Sequence, residues 1–154
     1  MKEILLVEDT DADAELLQRT LRLVGVVNPV RRMVNGIEAL SYLADLEKTA
    51  AIGPPLPSIL LLDLKMPGIT GFEVLERLRA RPAFAKMLKV VLSQLDDTKS
   101  IQRAYNLGAD SFLIKPITEA ELRGLIQGFP GHWTFAPKAP PSGKLPFRLG
   151  DTPG

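Results

Sequence analysis

A chain of 154 residues with 45% hydrophobic and 24% charged side chains can build one folded domain with a short appendage, and two full domains would not fit. Nineteen lysines and arginines against eighteen aspartates and glutamates leave a formal charge of +1, so no overall field draws the protein to nucleic acid or to an anionic membrane surface. With no cysteine, disulfides, thiolate metal sites and cysteine nucleophiles are excluded, and any metal must be held by oxygen or by the one histidine, His132.

The N-terminus opens on the apolar run Ile4-Leu5-Leu6-Val7, which stops at Glu8-Asp9. That run is too short for a signal peptide or a membrane span, so a cytoplasmic location is expected. Further short apolar runs at Val30 to Val34, Ile59 to Leu62, Val90 to Leu92 and Phe112 to Ile114 read as four more strands. The first and third are continuous rather than alternating, which suits strands of a parallel sheet covered on both faces.

Helical spacing fills the intervals. After the capping-type residues Thr10 and Asp11, the residues Leu16, Leu17, Thr20, Leu21 and Val24 form the inward stripe of a first helix. A second begins near Asn35 with Ile37, Leu40, Leu43 and Ala44 facing inward, and a third follows Gly71 with Phe72, Leu75 and Leu78. The fourth, from Thr98 to Leu107, carries Ile101, Ala104 and Tyr105 and ends at Gly108, where a left-handed cap belongs. Thr118-Glu119-Ala120-Glu121 makes a capping box for the fifth, ahead of Leu122, Leu125 and Ile126. Thr49 to Ser58, with Gly53-Pro54-Pro55 and Pro57, reads as an extended surface connection. Strands and helices in strict alternation, joined by right-handed crossovers, predict a doubly wound α/β fold with a five-stranded parallel sheet.

In such a fold the C-terminal strand ends open onto one crevice. Those ends carry Glu8 and Asp9, Asp63, Ser93, and Lys115-Pro116. Three carboxylates gathered there repel one another and call for a cation; hard oxygen ligands with room for water suit Mg²⁺. Lys115 supplies a fixed positive charge, so the site could neutralise a phosphoryl group on Asp63, with the Ser93 hydroxyl donating to a phosphate oxygen.

Four segments in the same order carry a resemblance that runs from Ile4 to about Gly128: Ile4-Leu5-Leu6-Val7-Glu8-Asp9, Leu61-Leu62-Asp63-Leu64-Lys65-Met66-Pro67-Gly68, Ala104-Tyr105-Asn106-Leu107-Gly108-Ala109-Asp110 and Phe112-Leu113-Ile114-Lys115-Pro116. They resemble the receiver domains of two-component response regulators. The resemblance implies a flavodoxin-like sheet of order 2-1-3-4-5 and a switch that takes a phosphoryl group from a sensor histidine kinase, rather than a conventional enzyme. It implies Asp63 as phospho-acceptor; Glu8, Asp9, Asp63 and the Lys65 carbonyl as Mg²⁺ ligands; and Lys115 and Ser93 as phosphate contacts. Ser93 and Phe112 are implied as the switch pair, the Lys115–Pro116 bond as cis, and the face of the fourth helix, fifth strand and fifth helix as the surface for output and for a homodimer.

Residues 1–128 are thus expected to form the receiver domain, and 129–154 a proline- and glycine-rich extension with no output domain, so that signalling runs through protein contacts and not through direct binding to nucleic acid. The downstream target is not written in the sequence. In the extension, Phe129, His132, Trp133 and Phe135 are apolar enough to pack on the domain or on a second subunit; His132 has no partner for a metal site, and Lys138 to Gly154 are expected to be disordered. The long connection before the third strand, the Asn35-Gly36 helix start and the Phe129 to Phe135 segment resemble receivers associated with bacterial phytochromes, which makes a phytochrome-type kinase the expected partner. An aspartyl phosphatase of the haloacid-dehalogenase type needs a second acid two residues after the nucleophile, where this chain has Lys65. A pseudo-receiver usually lacks one of the acids or the lysine, and both are kept.

Overall fold

The alternating pattern folds as a single parallel sheet. The structure, a computed structural model, describes residues 2–137. The chain runs β1 (Ile4–Val7), α1 (Asp11–Leu23), β2 (Val30–Met33), α2 (Gly36–Lys48), β3 (Ile59–Asp63), α3 (Gly71–Arg79), a 3-10 turn (Pro82–Phe84), β4 (Leu88–Ser93), α4 (Thr98–Asn106), β5 (Ser111–Ile114) and α5 (Glu119–Gly128). The strand order is β2-β1-β3-β4-β5, all neighbours parallel.

Successive side chains of a strand face opposite ways, so an unbroken apolar strand needs cover on both sides. Ile4, Leu6, Ile59, Leu61, Val90 and Leu92 pack with Ala14, Leu17 and Leu21 of α1 and Leu122 and Leu125 of α5. Leu5, Val7, Leu60, Leu62 and Val91 pack on the other side with Ala39 and Leu43 of α2, Val74, Leu75 and Leu78 of α3, and Ala104 of α4. Among the described residues no helix is long and apolar enough to cross a membrane.

The helix stripes differ from expectation where size misleads. Leu16, Ile37 and Tyr105 are exposed, while Ala14 and Ala39 take inward places that were not expected of them and Ala104 is buried as expected. A helix lying close on a sheet prefers the small residue beneath its axis, and the bulkier neighbour moves to the flank. Thr10 precedes α1 without a side-chain cap; its N–H instead donates to Glu8 Oε2 at 3.2 Å. The capping box at Thr118 is formed, and a second one, Thr70 with Glu73, starts α3. Gly71 allows α3 to begin against the end of β3, because a Cβ there would lie 2.6 Å from the Asp63 carbonyl oxygen. The 3-10 turn was not foreseen, and it buries Phe84 completely.

The segment after α5 docks on the domain. Trp133 is buried beside α1 and α5, and its Nε1 donates to the Phe129 carbonyl at 3.1 Å. Val27 N–H donates to the Thr134 carbonyl and Ala136 N–H to the Gly25 carbonyl, while Phe135 stays exposed. The buried Asn28 amide donates to the carbonyls of Lys2 and His132 and accepts from Thr134 N–H, a stitch the sequence did not reveal. The expectation for Lys138 to Gly154 lies outside the described residues.

Candidate functional site

The sheet register carries the site residues to one edge. Val7 is opposite Leu62, so Glu8 and Asp9 leave β1 where Asp63 ends β3; Ser93 ends β4 opposite Ile114, and Lys115 follows immediately. Ligand oxygens of Glu8, Asp9 and Asp63 lie within 4.8 Å of one another. Lys115 Nζ sits 2.5 Å from Glu8 Oε1, 3.0 Å from Asp13 Oδ2 and 3.6 Å from Asp63 Oδ1. The Lys115–Pro116 bond is cis.

Burial makes this arrangement electrostatically costly. Glu8 and Asp63 are 2% and 5% exposed. Burial, and then the negative charge of Glu8, push the Asp63 carboxyl up to about 7, against the pull of Lys115. Burial works against the charge on Lys115 as well, but its hydrogen bonds to Glu8 and Asp13 and the charge of Asp63 outweigh it and raise its pKa. Glu8, Asp13 and Asp63 therefore share one ammonium, and Asp9 adds a fourth carboxylate beside Glu8 and Asp63. A divalent cation is the natural complement to such a hard-oxygen cluster, and these residues fit one.

Asp9, Thr10, Asp13, Asp63, Lys65, Ser93, Gln94 and Lys115 line a cavity of about 130 Å³ over Asp63. Ser93 is buried, and its Oγ accepts from Leu95 N–H at 3.0 Å, which ties the start of the β4–α4 connection to the site. Lys65 is exposed, with its N–H 3.4 Å from Asp63 Oδ1. Phe112, opposite Val91, is half-buried on the α2–α3–α4 side. His132 lies far along the chain on the docked segment, with a buried Nδ1 that has no partner among the described residues.

Two residues were missed by sequence reasoning. Arg32 on β2 donates from Nε to the Glu8 carbonyl at 2.9 Å and from Nη1 to Asp11 at 2.6 Å, holding the β1–α1 turn. Asp13 reaches Lys115. The signal was present in the alternation Asp9, Asp11, Asp13, which reads as ordinary helix-start acidity when the β2 and β5 partners are unknown.

Comparison with known proteins gives the arrangement its family. The response regulator receiver domain matches residues 4–127. This chain belongs to that family. Receiver domains are phospho-accepting signalling modules rather than conventional enzymes. Among relatives, the probable methanogenesis regulatory protein FilR2 of Methanothrix harundinacea is 32% identical over 130 residues, 84% of this chain and 82% of FilR2. Response regulator Rcp1 of Synechocystis is 29% identical over 132 residues, 86% of this chain and 88% of Rcp1. A solved Mn²⁺-bound form of Rcp1 matches with a TM-score of 0.67 at 29% identity, over 83% of this receiver and 91% of that chain. The bacteriophytochrome response regulator RtBRR matches with a TM-score of 0.76 at 30% identity, over 92% of this receiver and 85% of that chain. The narrower resemblance to phytochrome-associated response regulators thus extends to the three-dimensional structure.

Proposed function

We propose that this receiver takes a phosphoryl group on Asp63 from a sensor histidine kinase, with Mg²⁺ as the cation, and signals through the surface of α4, β5 and α5. The observation that carries the proposal is the convergence of three carboxylates and one ammonium at the strand ends, with Asp63 facing a cavity. An Asp63 oxygen bonds to phosphorus as the bond from phosphorus to the donor nitrogen breaks, and that nitrogen takes a proton. The nucleophile must be ionised, yet burial and Glu8 hold its pKa at about 7. Held by Glu8, Asp9, Asp63 and the Lys65 carbonyl, Mg²⁺ would favour the carboxylate and offset charge on the incoming phosphoryl group. Lys115 contributes a second positive charge beside Asp63, and Ser93 a hydroxyl from the adjacent strand. Water attack on the acyl phosphate would reset the switch.

Moving a two-state element from about 1:99 to 99:1 takes roughly 5.5 kcal/mol of differential interaction. A hydrogen bond to a charged group contributes roughly 1.5 to 3 kcal/mol. Ser93 alone is therefore too little, whereas Ser93, Lys115 and a backbone amide together suffice. In moving toward the phosphoryl group, Ser93 gives up its bond from Leu95 N–H and leaves space for Phe112. That changes the α4–β5–α5 face, where Tyr105 and Ile114 are already exposed apolar side chains available to a protein target or to a second copy in a homodimer. The likeness to the bacteriophytochrome response regulator RtBRR supports a phytochrome-type kinase as the partner, and the setting in this proposal is the cytoplasm. In this division of labour residues 1–128 are the receiver, and 129–154 an extension anchored by Trp133.

Incubation with Mg²⁺ and acetyl phosphate tests the assignment. An acid-labile adduct of one phosphoryl group should map to Asp63 and vanish in Asp63→Asn. No adduct on the wild type, or an undiminished one in the variant, removes the proposal.

A further inference from the structure

We infer that Asp13 is a positioning residue for the phosphoryl-accepting site: by holding the Lys115 ammonium toward α1, it biases the site toward a dication and against a dianion. The inference rests on the reading of Asp63 as the acceptor and extends it to a residue with no assigned role.

Lys115 Nζ is closer to Asp13 Oδ2, at 3.0 Å, than to Asp63 Oδ1, at 3.6 Å. Three carboxylates thus compete for one ammonium, and the two that hold it best, Glu8 and Asp13, are not the one that would carry the phosphoryl group. Asp13 also lines the cavity over Asp63, so its charge faces any anion entering there. A phosphoryl group must both approach this carboxylate and draw Lys115 away from it. A cation gains from the same charge, because Asp13 neutralises the ammonium that would otherwise repel it.

Position in the fold separates this role from ordinary helix-start acidity. Asp11 and Asp13 both lie in the first turn of α1, where negative charge interacts well with the helix dipole. Asp11 turns to Arg32 on β2, whereas Asp13 turns to Lys115 after β5. A helix-dipole role needs no contact with Lys115, and it would affect folding rather than the balance between cation and anion at Asp63.

Calorimetric titration of the whole protein with Mg²⁺, and then with beryllofluoride at saturating Mg²⁺, separates the two effects. Beryllofluoride serves as an anionic mimic of a phosphoryl group on a carboxylate. In Asp13→Asn the Mg²⁺ affinity should fall roughly two- to fivefold while beryllofluoride affinity rises by a similar factor, the scale of a partly exposed ion pair. Asp13→Glu should return both toward wild type. Glu15→Gln removes the same charge from an exposed position on the same helix and should move neither. Wild-type uptake of beryllofluoride, with Asp13→Asn unchanged or shifted in the same direction for both ligands, overturns the inference alone. No uptake by the wild type overturns the acceptor reading of Asp63 and the inference with it.

Discussion

Two largely buried lysines lie in this sheet and just past its end, and their surroundings show how one residue type serves structure in one place and chemistry in another. Lys89, near the start of β4, is 7% exposed and gives its ammonium to the carbonyls of Phe84 at 2.7 Å and Met87 at 2.9 Å. Burial lowers its pKa, only partly opposed by Asp110. The Lys115 side chain, past the end of β5, is 12% exposed and held by Glu8 and Asp13, with Asp63 beyond; its pKa is raised. Neutral carbonyl oxygens tie Lys89 to the 3-10 turn and can be satisfied once and for all. The carboxylates around Lys115 outnumber it, which leaves that end of the sheet ready for another cation.

The largest effect expected from breaking the contrast is at Asp63 itself. Asp63→Asn should abolish the adduct and also stabilise the protein in chelator by about 1 to 3 kcal/mol, since it removes a buried carboxyl crowded by Glu8. Denaturant melts in EDTA and in Mg²⁺ check this, and Mg²⁺ should stabilise the wild type far more than the variant.

Next come the lysines as a pair. Lys115→Ala should slow adduct formation roughly a hundredfold, the usual scale for losing one charged stabiliser of a reacting group, without weakening Mg²⁺ binding. Lys89→Met should leave adduct formation unchanged and cost about 1 to 3 kcal/mol of stability, because the Met87 carbonyl loses its donor and the Phe84 carbonyl keeps only the long bond from Met87 N–H. Rates of phosphorylation and melts on the same samples separate the two outcomes.

The contrast is sharpened by pH. Without metal, folded Asp63 keeps its proton up to about 7 while the unfolded chain releases it near 3.8. The folded state then binds more protons across that interval, so this group's contribution to stability falls as pH rises from about 4 to 7. Mg²⁺ binding must displace the proton, so its affinity should weaken as pH drops below 7, by up to about tenfold per unit. Calorimetry in buffers of different ionisation enthalpy would show the released proton.

The smallest effect falls on Ser93. Ser93→Ala loses the bond from Leu95 N–H and should cost about 1 kcal/mol. It should still be phosphorylated yet lose most of the change at Phe112 and the α4–β5–α5 face, as read by amide NMR shifts. An unchanged response would count against the proposed coupling.

Much of this was legible in the sequence because it depends on local rules. Continuous apolar runs at Ile4 to Val7 and Ile59 to Leu62 require two covered faces, and a parallel sheet gathers whatever follows such strands at one edge. Glu8, Asp9, Asp63, Ser93 and Lys115 could be placed together for that reason. Contacts across the chain were not legible. Nothing near Asn28 announces that its amide will fasten residues 132 and 134, nothing near Lys89 announces the Phe84 carbonyl, and Asp13 acquires its meaning only once Lys115 stands beside it. Leu16 and Ile37 mislead because apolar size does not by itself set inward direction; close helix–sheet approach favours Ala14 and Ala39.

The most direct measurement is the titration of the Asp63 carboxyl by carbon-detected NMR, with Mg²⁺ absent and then saturating. Without the cation the resonance should titrate near pH 7, and with it the carboxyl should remain ionised to well below that value. An Asp63 that titrates near 4 in the metal-free protein, or one indifferent to Mg²⁺, would contradict the claim that unbalanced acidity prepares this site for a cation and a phosphoryl group.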